Sequence, residues 1–214
     1  MVSIRTSRLL VVVVILATVA GCTTTSAGSP LPVPGEGTSE SSGSEPSPTD
    51  AEVPYAGAPE VEDPLDTTQF QQDPCHTLTS AQADKLNVKF PGEPDEGPLG
   101  NTCGFRGRSD ERALVDVRSL DRYAYGLSAT YQAEKDGKWA HFAELNPIEG
   151  YPAVAYDAVD QRNTGACVVD VGTSDEVAFE ISLQLSTDNV GKNDPCESAA
   201  MVAGMVLETM KAAQ

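Results

Sequence analysis

The sequence predicts an α+β domain, an antiparallel sheet with helices packed on one face and two disulfides. Three observations carry that prediction. Val177, Phe179, Ile181, Leu183 and Leu185 recur at a two-residue spacing, the pattern of a strand with one apolar face. Asp-Pro-Cys occurs twice, at Asp73-Pro74-Cys75 and at Asp194-Pro195-Cys196. Both have the form of a helix start, because Asp caps free backbone N–H groups and Pro suits the first helical position. Four cysteines, Cys75, Cys103, Cys167 and Cys196, lie in the same stretch, and an even number in an exported chain reads as two disulfides.

The elements follow in chain order. A short helix is expected from Thr79 to Leu86, with Thr79 as its cap and Gln82 at the third position. Thr102–Arg108 and Ala113–Leu120 read as a hairpin across Ser109-Asp110-Glu111, and in the second strand Leu114, Asp116 and Arg118 alternate with Val115, Val117 and Ser119. A further helix is expected from Tyr123 to Lys135. Pro152–Tyr156, Ala166–Val171 and Val177–Leu185 read as three more strands. The run ESAAMVAGMVLETMKAA, with Glu197 three residues after Asp194, makes a C-terminal helix with a Met, Val and Leu face. After the middle helix the connections lack the long crossovers that parallel strands need, so the sheet is expected to be antiparallel.

Four cysteines allow three pairings. The sequential one, Cys75–Cys103 and Cys167–Cys196, closes two loops of similar size and is favoured here. Each should add roughly 3–4 kcal/mol in the chain-entropy view. No C-x-x-C or Cys/His pair stands at metal-ligand spacing, so neither a metal nor a cofactor is expected.

The domain, about 70–214, stands at the end of a longer chain. Arg5 and Arg8, the apolar run Leu9 to Ala20, and Val19-Ala20-Gly21-Cys22 have the order of a lipoprotein signal. The apolar run is shorter than the ~20 residues that span a bilayer. Residues 1–21 are therefore read as a signal peptide and Cys22 as the lipidation site. The expected anchor is a diacylglyceryl group on the Cys22 thiol, with two acyl chains such as palmitate, holding an exported protein on the outer face of the cell membrane. Residues 22–69 are read as a disordered tether rich in Ser, Pro and Glu, with too little apolar surface to offset chain entropy. Its expected reach is about 35–40 Å.

Removing residues 1–21 takes away two of the 14 basic residues and none of the 32 acidic ones, so the formal net charge goes from −18 to −20. After Arg8 the next basic residue is Lys85. Such a charge excludes nucleic acid as a partner, since phosphate binding needs clustered Lys and Arg. It also excludes lying flat on an anionic lipid surface.

These residues carry a resemblance. Asp73-Pro74-Cys75 with Leu78-Thr79, Cys103 before an aromatic, Gly150-Tyr151-Pro152-Ala153, Cys167-Val168-Val169-Asp170-Val171 and Asp194-Pro195-Cys196 before a final helix together resemble the actinobacterial lipoprotein family of unknown function numbered 3558. The family usually has Trp two residues after the second cysteine, where this chain has Phe105. The resemblance implies a mycobacterium-like cell envelope and the sheet-and-helix fold of the PsbP-like superfamily. It implies no activity and supplies no catalytic residues.

Motifs for chemistry are sparse. There is no G-x-S-x-G, S-x-x-K or H-E-x-x-H. The two histidines are His76, beside a disulfide cysteine at a helix start, and His141, within Trp139-Ala140-His141-Phe142. The acids Asp157, Asp160, Asp170, Asp175 and Glu176 lack the spacing of a calcium loop and read as solvated turns. Tyr123, Tyr125, Tyr131, Trp139, Phe142, Tyr151 and Tyr156 crowd into a short stretch. Aromatics gathered in a core are commoner, but gathered in a cleft they hold apolar ligands or sugars. Trp139, His141, Phe142 and Tyr151 are the residues singled out for ligand contact. The expected function is a membrane-anchored, non-enzymatic envelope lipoprotein that binds a ligand or an envelope protein. The alternative is a cell-wall-acting enzyme or enzyme accessory using carboxylates, and a third is a structural surface protein without a pocket.

Overall fold

A computed structural model describes residues 52–214. The expected signal peptide, the expected lipidation site Cys22 and the expected tether up to residue 51 lie outside the described residues.

Seven antiparallel strands form one sheet in the order β1-β2-β3-β7-β6-β5-β4. They are β1 (Glu93–Glu96), β2 (Asn101–Arg106), β3 (Leu114–Leu120), β4 (His141–Glu144), β5 (Ala153–Asp157), β6 (Ala166–Gly172) and β7 (Ala178–Gln184). Among the described residues four α-helices accompany them: α1 (Thr68–Gln72), α2 (Ser80–Leu86), α3 (Ser128–Lys135) and α4 (Pro195–Lys211). The α+β class, the antiparallel sheet and both disulfides are as the sequence predicts. Cys75 is bonded to Cys103 and Cys167 to Cys196.

The apolar alternation of β7 sets the main core. Phe179, Ile181, Leu183 and Leu185 join Val117, Phe105, Val169 and Val171 on one face of the sheet. Against that face α4 lays Ala199, Val202, Ala203, Val206, Leu207 and Met210, all fully buried. These recur at the three- and four-residue spacing of one helical stripe. Asp194 caps α4 by accepting from the N–H groups of Cys196 and Glu197. At α2 the Thr79 side chain accepts from the Gln82 N–H while the Gln82 side chain reaches back to the cap, a complete capping box. Gln82 also donates to the Met205 carbonyl, which ties α2 to α4.

The middle helix differs from expectation in place and extent. It begins at Ser128, because Ala124 and Gly126 take positive φ of 53° and 48° and break the helical path after Tyr123. A Cβ at residue 126 would also stand 2.3 Å from the Asp175 carbonyl oxygen. α3 lies on the other face of the sheet, where Leu127 and Tyr131 pack on Val154, Tyr156 and Ala178. Two short edge strands, β1 and β4, are further additions.

Residues 52–69, assigned to the tether from composition, pack on the domain from Tyr55 onward. The Tyr55 N–H donates to Ser128 Oγ, the Val61 N–H to Asp175 Oδ1 and the Leu65 N–H to the Thr173 carbonyl. Val61 is 6% exposed and belongs to the main core, while Ala56 and Ala58 pack on the α3 side. The segment is a strap around one end of the β6–β7 hairpin. Composition missed it because its few apolar residues are each placed against a prepared surface.

Candidate functional site

The sheet register sets one row of directly opposed residues across all seven strands: Asp95, Thr102, Arg118, Glu180, Asp170, Val154 and Glu144. This row lies on the α3 face. Its middle is covered, so Asp170 is fully buried and Glu180 nearly so.

Each polar atom in that buried stretch has a partner. Thr130 Oγ1 of α3 donates to Asp170 Oδ2 at 2.6 Å. Tyr156 Oη lies 3.1 Å from Asp170 Oδ1 and 3.0 Å from Glu180 Oε2. Arg118 Nη1 donates to Glu180 Oε1 at 2.7 Å, and Ser182 Oγ donates to the same oxygen at 3.2 Å. Arg118 Nε donates to Thr102 Oγ1 at 3.0 Å.

The proton count of this chain is informative. Tyr156 has one O–H but stands between two carboxyl oxygens, so a second proton must come from one of the acids. Glu180 is ion-paired with Arg118. Asp170 is the more deeply buried, and burial followed by the Glu180 charge pushes its carboxyl well above the usual range. Asp170 is therefore the neutral acid, donating to Tyr156, which donates to Glu180. Burial, then the two neighbouring acids, raises the Tyr156 phenol as well and keeps it protonated.

Above this network lies a cleft of about 230 Å³. Tyr123, Tyr125, Trp139 and Leu120 are prominent in its walls, and Tyr156, Asp170 and Glu180 form its floor. Leu99 and Tyr123 are exposed at its rim. Tyr123 and Tyr125 stack with ring centroids 5.9 Å apart and planes within 12°. Trp139 packs on Tyr156 at 4.5 Å and donates its indole N–H to the Thr130 carbonyl. The Trp139 ring is thus fixed by the same residue that bonds Asp170.

The residues singled out from sequence do not converge. Trp139 lines the cleft. Phe142 packs edge-on against Tyr131 at 5.3 Å, beneath α3. His141 alternates with Phe142 along β4 and pairs with Asp157, which places it on the α4 face. Tyr151 is buried in the main core and borders a different groove, with Lys211 and Glu149. Asp170 is no solvated turn acid but the buried centre of a strand. The other acids of that group are dispersed: Asp157 accepts from the Val159 and Gln161 N–H groups, Asp160 pairs with Arg162, and Asp175 accepts from Val61. Among the described residues no group of His, Cys, Asp and Glu is placed to hold a metal ion. Among them, too, no helix is long and apolar enough to cross a membrane.

The fold and site define a disulfide-bonded antiparallel sheet domain with a buried acid–tyrosine–acid chain beneath an aromatic cleft. The family described as protein of unknown function (DUF3558) matches residues 17–209, and the chain belongs to it. No curated protein and no solved structure matches the chain.

Proposed function

We propose that the chain is a lipid-anchored envelope protein of an actinobacterial type of cell, exported and held at Cys22, whose domain binds a small ligand without transforming it. The supporting observation is the cleft: apolar aromatic walls over a polar floor whose every carboxyl oxygen is already engaged inside the protein. Concave, mostly apolar sites with a few fixed polar groups are where small molecules bind.

The carboxylates give the enzymatic alternative its one specific support, since Asp170 and Glu180 form a close pair with one member neutral. Glycoside hydrolysis by such a pair needs the sugar bond, or a water, between the two carboxyls. Here the Tyr156 hydroxyl fills that space, which favours binding over acid–base turnover.

Native mass spectrometry of the full chain, purified in mild detergent from an actinobacterial host, tests both halves. The expected mass carries the acyl groups on Cys22 and a bound small molecule that is lost when Ala129, at the cleft, is replaced by Trp. A chain without acyl mass would sink the anchor. An adduct unchanged by Ala129→Trp, or none at all, would sink the cleft as the binding site. Hydrolysis of purified wall material that stops in Glu180→Gln would instead establish the enzyme.

A further inference from the structure

Two buried acids share one base in the cleft floor. Asp170 and Glu180 stand side by side on β6 and β7, and among the described residues the guanidinium bonded to this pair is that of Arg118, on Glu180. With both acids ionised the cluster would be one positive charge short. The groups facing Asp170 are Tyr156 from β5, Glu180 from β7, with Arg118 of β3 beyond it, and only the neutral Thr130 from α3. The shortfall is met by a proton on Asp170. The cleft above this floor is lined by the aromatic rings of Tyr123, Tyr125 and Trp139, with the Tyr156 ring in the floor itself. A ring face carries partial negative charge and attracts a cation that is weakly hydrated. Arg122 also borders the cleft, but it is exposed to solvent, where its charge is screened.

We propose that the cleft recognises an organic ammonium group, held against the faces of Tyr123, Tyr125 and Trp139 and balanced by the Asp170 carboxylate. This rests on the ligand-binding reading above and names its chemical class. The cation takes the place of the Asp170 proton, which leaves to solvent, so binding releases one proton and tightens as pH rises. An alkylammonium suits the small volume, and the chain's large negative charge draws cations to it.

Calorimetric titration of the full chain in detergent with choline, and with its uncharged carbon isostere 3,3-dimethylbutan-1-ol, tests this. Choline should bind at least about tenfold more tightly than the isostere. Its apparent heat should change with the ionisation enthalpy of the buffer, as release of one proton requires. Trp139→Ala should weaken choline, and Asp170→Asn, which keeps the neutral hydrogen bonds, should abolish both the proton release and the preference for the cation. Equal binding of the two compounds would overturn the ammonium class while leaving a ligand-binding cleft. Binding of the isostere alone would do the same. Binding of neither would overturn it too, and the mass spectrum of the Ala129→Trp variant then decides separately whether the cleft binds anything.

Discussion

At the scale of single residues, Asp170 decides most. An acid with no exposure is tolerated because Thr130 and Tyr156 satisfy both oxygens and because it keeps its proton. Its folded value lies above its unfolded one, so folding is helped by protonation. That contribution is complete below the ordinary Asp range, near 4, and is lost as pH rises through the raised value. The wild-type chain should therefore lose stability with rising pH by up to about 1.4 kcal/mol per unit, relative to Asp170→Asn. Urea midpoints of the two proteins at several pH values check this. Parallel curves would mean that Asp170 is ionised throughout. This residue was not legible in the sequence: Cys167-Val168-Val169-Asp170-Val171 shows an acid in an apolar strand, but not that Glu180, ten residues on in the next strand, would be set directly opposite it. Glu180 alternates with Phe179 and Ile181 and so falls on the opposite face of β7. Its face is polar only until α3 covers it.

At the scale of elements, local rules succeeded where the neighbours on the chain do the work. Thr79 and Gln82 were readable as a capping box because both halves lie three residues apart. Thr79→Ala should cost about 1 kcal/mol, measurable as a lower urea midpoint with unchanged slope, and no change would mean that α4 alone holds α2 in place. The Asp-Pro-Cys repeats marked the starts of a 3-10 turn, Pro74–His76, and of α4 for the same reason. Elements decided by pairing were missed. β1 is Glu-Pro-Asp-Glu, which has the composition of a loop and is a strand only because β2 supplies its hydrogen bonds. β4 is four residues long and gains its order from β5. The helix expected from Tyr123 instead yields two stacked tyrosines in a turn, and these are the cleft wall. Aromatic crowding pointed to the region, but the positive φ of Ala124 and Gly126 could not be read from the amino-acid types alone.

At the scale of the whole molecule, the strap makes the folded unit larger than composition suggests. A chain beginning at residue 70 loses the burial of Val61 and the bonds to Asp175, Thr173 and Ser128. It should be less stable than one beginning at residue 52 by about 1.5–3 kcal/mol from the valine alone. It should also be cut faster by protease near the β6–β7 turn. Equal melting temperatures would show that the strap rests on the domain without holding it.

An open sheet leaves an unpaired strand on each side, and such edges invite copies of a protein to add to one another into fibres. The outermost strand here, β1, is also among the most acidic segments of the domain, with Glu93, Asp95 and Glu96 around Pro94, all exposed. Two molecules approaching through that edge bring like charges together and meet a residue with no N–H to offer. A segment that adds little to the core thus acts as a guard against self-association, and it is a guard that acid would disarm.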